Sequence, residues 1–118
     1  MNNDYTKQRI IQELVPGRQI TLAHIIANPD PVLYASLSVD NAAGNTAIGV
    51  FNVTPSDAAV IIADIAVKSS GARIISADRA SGSLLISGAV SDVESAAAAI
   101  INYVGEKLGF EICNITKT

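Results

Sequence analysis

The sequence predicts an α+β fold of the ferredoxin-like split βαβ type, preceded by an N-terminal β arm. Three observations carry this. From Ala47 onward the patterns run strand, helix, strand, strand, helix, strand, which is the split βαβ order with two helices on one face of an antiparallel sheet. The helix read between Thr54 and Gly71 is apolar almost all round, whereas an ordinary surface helix is polar over about half its circumference. Apolar residues make up 49% of the chain and aromatic ones only 4%, so Ala, Ile, Val and Leu build the core, as suits thin, closely stacked layers.

At 118 residues the chain holds one domain. Residues 1–8 are polar and read as a disordered tail. Arg9 to Val15 is a short β-like segment, and Pro16-Gly17 suits a type II turn. Arg18 to Ala27 follows as a strand with Ile20, Leu22, His24 and Ile26 on one face by period two. Two strands around Pro-Gly suggest a hairpin or an exchanged arm. The run Asn28-Pro29-Asp30-Pro31 breaks the strand, because the residue before each proline is pushed to extended geometry. Asp30 as cap and Pro31 at the first helical position then open a short helix, Val32 to Leu37. Asp40 to Thr46 is a loop by composition.

The strand Ala47 to Val53 feeds the apolar helix. There Thr54 is placed to cap, Pro55 to stand first, Asp57 to add a favourable charge in the first turn and Gly71 to stop the helix in the left-handed conformation. So few polar positions imply that this helix packs on more than one side, one of them a candidate contact with another subunit. Arg73 to Ala77 and Ser83 to Ser87 form a hairpin around the turn Asp78-Arg79-Ala80-Ser81-Gly82. Ser91 and Glu94 have the spacing of a capping box for a second helix, Asp92 to Leu108, which stops at Gly109. Phe110 to Thr116 closes the chain as a strand.

Eight basic residues are spread along a chain of net charge -3, which disfavours nucleic acid as a partner, since that needs Lys and Arg gathered on one face. The single Cys113 excludes an internal disulfide and any multi-cysteine metal site. The start Met1-Asn2-Asn3-Asp4 is polar and acidic, unlike a secretory signal. The longest apolar run falls short of the roughly 20 residues a membrane span needs. A reducing cytoplasm is the expected location, with no membrane partner.

Candidate chemistry is sparse. His24 is the sole histidine and has no Cys or His near it in sequence, so it reads as structural or interfacial rather than catalytic or metal-binding. Cys113 lies in an apolar stretch and reads as a small buried residue. Asp64 and Lys68 are four apart in the favourable acid-first order. They are either a solvated ion pair or the contact point with a neighbouring molecule. Asp78 to Ser83 is either a plain hairpin turn or a polar loop lining an opening between subunits. No P-loop and no Gly-x-Gly-x-x-Gly occurs, and neither an enzyme activity nor a cofactor is expected.

The run from Arg9 to Pro29, reading RIIQELVPGRQITLAHIIANP, resembles the start of circularly permuted bacterial microcompartment shell proteins of the ethanolamine- and propanediol-utilisation type. Three later pieces are similar in the same order: Ala47-Ile48-Gly49 before Thr54-Pro55-Ser56, Asp78-Arg79 before Ser81-Gly82, and the ending Cys113-Asn114-Ile115-Thr116-Lys117-Thr118. The resemblance implies a structural shell protein whose homo-hexameric tiles join other shell proteins around an ethanolamine, propanediol or choline type pathway. It also implies two parts, residues 1–18 as an arm and 19–118 as the permuted shell domain. Ile10, Ile11, Gln12, Glu13 and Leu14 would contribute to a small β-barrel on the ring axis, with an encapsulated protein as a further partner near it. Asp64 and Lys68 would lie at the tile edge, and Asp78, Arg79, Ala80, Ser81 and Gly82 beside the pore. The rival reading is a ferredoxin-like regulatory module that binds a small molecule, since fold does not fix function. An acylphosphatase-like hydrolase would need a phosphate-cradling loop with an arginine, and Thr54-Pro55-Ser56 supplies none.

Overall fold

The computed structural model describes residues 17–42 and 44–118. The elements are β1 (Gln19–Ile26), α1 (Pro31–Ser36), β2 (Thr46–Thr54), α2 (Ala58–Ser69), β3 (Arg73–Asp78), β4 (Ser83–Ala89), α3 (Val90–Glu106) and β5 (Thr116–Lys117). From β2 onward their order is the one the sequence predicts. The sheet runs β3-β4-β2-β1-β5, antiparallel except where β5 joins β1 in parallel. In a free-standing split βαβ unit the last strand returns to lie beside the first. Here β1 occupies that place against β2, and the chain's last strand is displaced to the edge beyond it.

Helices α2 and α3 pack on each other and on the sheet. Their buried faces are rich in alanine: Ala59, Ile62 and Ala66 from α2 meet Val93, Ala96, Ala97, Ile100 and Val104 from α3. Phe51, Leu84 and Ile86 supply the sheet's side of this core. Helix α3 comes so close to the sheet that a Cβ on Gly49 would stand 3.0 Å from Val93 Cγ1, besides 2.8 Å from Cγ1 of its cross-strand partner Ile86. Small residues thus allow the tight stacking their abundance suggests.

Several local expectations are corrected. A bulge between Ile20 and Leu22 shifts the register of β1 against β2. Its effect is to flip every later side chain, because the strand period is two. The buried set is Ile20, Ala23 and Ile25, while Leu22 is exposed and His24 and Ile26 are half-buried. Thr54 does not cap α2: the ladder extends through the Gln19–Thr54 pair, so Thr54 ends β2. Pro55 to Asp57 form a tight turn, closed by the Ala58 and Ala59 amides donating to the Pro55 and Ser56 carbonyls, both at 3.0 Å. Asp57 holds the cap position without a side-chain bond.

Gly71 is not a left-handed stop. Ser70 ends α2 in extended conformation, and the Ser69 and Ser70 hydroxyls donate to the Ile65 and Ala66 carbonyls at 2.7 and 2.8 Å. The Gly71 amide donates instead to Asp92 Oδ1 at 3.2 Å. The capping box also fails to form, since α3 starts at Val90, with Ser91 already inside it, and Glu94 pairs with Lys117 Nζ. The predicted strand Phe110 to Thr116 is reduced to a bridge at Glu111 and to β5. By contrast α1 matches its signals, with Asp30 Oδ1 accepting from the Val32 amide at 3.0 Å.

Candidate functional site

The outer face of α2 carries three exposed large apolar residues. With Ala58, Ala59, Ile62, Ala63 and Ala66 turned inward, the helix leaves Val60, Ile61 and Val67 at 50%, 45% and 43% exposure. Tyr103 of α3 is also exposed, at 46%. Asp64 and Lys68 stand among them as an ion pair of 2.9 Å, with side chains 55% and 75% exposed. The Asp64 carboxylate, first by its hydrogen bond and then by its charge, raises the Lys68 pKa above the ordinary 10.5. Lys68 sits in the last turn, where the helix dipole favours a cation. The structure therefore brings together a helix face that is apolar in part and polar at one end, as an association surface requires.

The turn Asp78 to Gly82 lies at the end of the sheet where β2 finishes and β1 begins, since Ser83 pairs with Asn52 and Gln19 with Thr54. Its shape is over-determined. Asp78 accepts from the Ala80 amide at 2.8 Å and the Ser81 hydroxyl at 2.9 Å. These two bonds, the amide first, hold the Asp78 pKa below the ordinary carboxylate value. Gly82, at φ +80°, donates to the Asp78 carbonyl at 2.8 Å and accepts from the Val53 amide at 2.9 Å. Arg79 and Ala80 remain exposed at the tip.

Asn52 is the residue that sequence reasoning missed. Its Nδ2 donates to the Ser81 carbonyl and the Ser83 hydroxyl, both at 3.2 Å, and its Oδ1 accepts from the Thr21 hydroxyl at 3.4 Å. An amide side chain in the apolar run Val50-Phe51-Asn52-Val53 was the available signal, because a strand position facing only solvent does not need one.

Both edges of β1 are taken. The Ile20 amide donates to the Glu111 carbonyl at 2.9 Å, and the Glu111 amide to the Arg18 carbonyl at 3.0 Å. His24, half-buried, has Nδ1 2.6 Å from Thr116 Oγ1 and Nε2 2.9 Å from Thr118 Oγ1. Both ring nitrogens thus hold the C-terminal strand, a structural role. Cys113 is partly buried, and desolvation raises its pKa, which keeps the thiol protonated at neutral pH. Ile10, Ile11, Gln12, Glu13 and Leu14 lie outside the described residues. Among the described residues no three His, Cys, Asp or Glu gather to hold a metal ion, and no helix is long and apolar enough to cross a membrane.

Residues 47–116 match the BMC domain family. Over its full length the chain is 43% identical to the bacterial microcompartment shell protein PduU of Salmonella typhimurium strain LT2, covering all of that protein. It is 46% identical to the shell protein CutR of Streptococcus intermedius over 93% of this chain and 92% of CutR. The shell protein EutS of Escherichia coli K12 is 42% identical over 95% of this chain and 98% of EutS. Among solved structures, a CutR flat hexamer superposes with a TM-score of 0.82 at 44% identity, over 94% of this chain and all of that one. A CutR dimer with domain swap gives 0.64 at 41% identity, over 86% of this chain and all of that one. With a helix face suited to association, an over-determined sheet-end turn and likeness to three shell proteins over more than nine-tenths of its length, the chain belongs to the bacterial microcompartment shell proteins built on the BMC domain.

Proposed function

We propose that this chain is a structural tile of a bacterial microcompartment shell in the cytoplasm, and that six copies close into a ring. The observation that carries this is the outer face of α2 with Tyr103 beside it, an apolar surface that a lone subunit leaves in water. Identity with PduU over the full length, and with CutR and EutS over more than nine-tenths of it, supports the shell role over the regulatory alternative, and the CutR flat hexamer supports the ring. The CutR dimer with domain swap supports a further property, that copies of this chain exchange a segment. The work of the tile is association, without catalysis or cofactor.

Residues 1–18 form the arm and residues 19–118 the permuted shell domain in this reading. The position of β1, filling the place of the module's last strand, supports the permutation. The occupied edges of β1 support an arm that pairs away from its own sheet. A hairpin return of residues 9–15 onto β1 would find Glu111 already bonded there. The arm, with Ile10, Ile11, Gln12, Glu13 and Leu14, builds the axial barrel and offers a docking place to an encapsulated protein. Asp78, Arg79, Ala80, Ser81 and Gly82 form the fixed rim at the same end of the sheet. Asp64 and Lys68 stand at the tile edge, where other shell proteins meet it. Native mass spectrometry at micromolar concentration tests the reading: a species of six chains is expected, and a monomer near 12.2 kDa overturns it.

A further inference from the structure

We propose that the cavity between β3, β4 and the connection from α1 to β2 binds a small monocarboxylate that carries an apolar chain. The cavity lies within one subunit and needs no neighbouring copy, so the site goes beyond the shell reading. Three observations carry it.

The first is a buried hydroxyl. Ser87 is the only buried polar residue among the described ones, at 7% exposure. Its hydroxyl has no hydrogen-bond partner among them. Leu84 and Ile86 of the same strand enter the core, so period two sends Ser87 to the opposite face of the sheet. There it lines a cavity of about 660 Å³, within the range of ligand pockets. A hydroxyl withdrawn from water without a partner costs stability. A ligand that bonds to it recovers that cost.

The second is a cation in register with it. Arg73 pairs with Ser87 across the β3–β4 ladder. Residues opposite each other share a face, with Cβ atoms about 4.5–5.5 Å apart. Arg73 lines the same cavity, is exposed and has no ion-pair partner among the described residues. A guanidinium presents a planar fork that fits both oxygens of a carboxylate. The Ser87 hydroxyl beside it can donate a third bond to the same group.

The third is the rest of the wall, which limits the charge and shapes the remainder of the ligand. Asp92 and Asp40 also line the cavity. Each already accepts from a backbone amide, Asp92 Oδ1 from Gly71 at 3.2 Å and Asp40 Oδ1 from Ala42 at 2.9 Å. Two carboxylates near one guanidinium repel a dianion and favour a single negative charge. They would also suit an amine, but they are bonded in place, whereas the guanidinium and the hydroxyl are free to bind. The acidic side is tightly packed, since a Cβ on Gly71 would stand 3.0 Å from Asp92 Oδ2. Leu37, Val39 and Ile75 supply apolar wall, with Ile75 set at the bulge between Ile74 and Ser76. They suit a short hydrocarbon chain behind the carboxylate.

Isothermal titration calorimetry of the assembled protein with hexanoate, hexanol, hexylamine and adipate tests the site. Saturable binding of hexanoate is expected, about tenfold or more tighter than that of the other three. Arg73→Gln should weaken hexanoate by about tenfold or more, and Ser87→Ala by about threefold to tenfold. Ser87→Ala also separates a ligand role from a structural one. Without ligand its urea midpoint should rise at unchanged m-value, because the variant no longer buries an unpaired hydroxyl. Tighter binding of hexylamine, no saturable binding of hexanoate, or an affinity unchanged by Arg73→Gln overturns the proposal. A lower midpoint in Ser87→Ala shows the hydroxyl holding the fold and removes it from the site. Native mass spectrometry of each variant counts the chains per assembly, so a failed ring is read apart from a failed site.

Discussion

The turn Asp78 to Gly82 and the connection from Leu37 to Asn45 each present polar residues to solvent, and each carries a glycine with nearly the same backbone: Gly82 at φ +80° and Gly44 at φ +81°. Their surroundings differ. A Cβ on Gly82 would stand 2.2 Å from the Val53 carbonyl oxygen and 3.2 Å from Ser56 Cα, whereas one on Gly44 would meet nothing within 4 Å. One glycine is packed against the sheet from several directions, and the other faces open space. A backbone conformation alone does not say how a loop behaves. The atoms packed against it decide how firmly it is held.

Substituting both glycines breaks this comparison most directly. Gly82→Ala forces backbone apart as well as straining φ, so a loss of about 3 kcal/mol or more is expected. Gly44→Ala meets only the conformational cost, about 1–2 kcal/mol. Urea midpoints at unchanged m-value measure both. Equal losses would mean that the Gly82 contacts give way easily and that the turn is not locked.

Asn52→Ala comes next. It leaves the Ser81 carbonyl and the Ser83 hydroxyl without the amide, while the Thr21 hydroxyl keeps only the backbone carbonyl of residue 52, an expected loss of about 1–2 kcal/mol. Amide exchange at Gly82 and Ser83 should accelerate by about tenfold while Gly44 is unchanged. The Asp78 bonds add a pH dependence to the same turn. Its folded pKa is depressed, so its contribution is present above the unfolded value near 3.8 and is lost as pH falls through the folded one. The turn should thus loosen only in acid, below the ordinary Asp range.

His24→Ala sharpens the comparison from the other edge of β1. Removing the ring frees Thr116 and Thr118, with an expected loss of about 1 kcal/mol and faster exchange at the Thr118 and Ala27 amides. Unchanged exchange there would mean that the backbone ladder alone holds β5.

Much of this was legible in the residues and some was not, for identifiable reasons. The element order from Ala47, the Asp30 cap before Pro31 and the alanine-rich core follow from local rules that the tertiary fold does not oppose. The face of β1 was misjudged because a bulge at Thr21 is set by pairing with β2, which period-two reading cannot see. The start of α2 was misplaced because Thr54 suits both a strand end and a helix cap, and the ladder partner Gln19 decided it. The Ser91–Glu94 signal failed because Lys117, distant in sequence, takes the glutamate. The Asp64–Lys68 ion pair was legible from spacing, while Asn52 became visible only once Ser81 and Thr21 stood beside it.

The smallest expected effect on the fold, and the most specific on assembly, belongs to Lys68→Glu. Both members of the ion pair are largely in water, where such pairs contribute little to stability. Unfolding midpoints should therefore barely move. The raised Lys68 pKa makes the same point: its contribution is fully present below 10.5 and is lost only as pH rises through the folded value, outside any physiological range. Six chains per ring are still expected. What should change is contact between rings, because a second carboxylate beside Asp64 makes each edge acidic and neighbouring edges repel. Exchanging the pair, Asp64→Lys with Lys68→Glu, keeps the intrahelical attraction but moves the cation by one turn. Sheets seen by electron microscopy in the exchanged variant but not in Lys68→Glu would mean that net edge charge governs tiling. Loss in both would mean that the lysine's position does, and normal sheets in both would remove this pair from the tile edge.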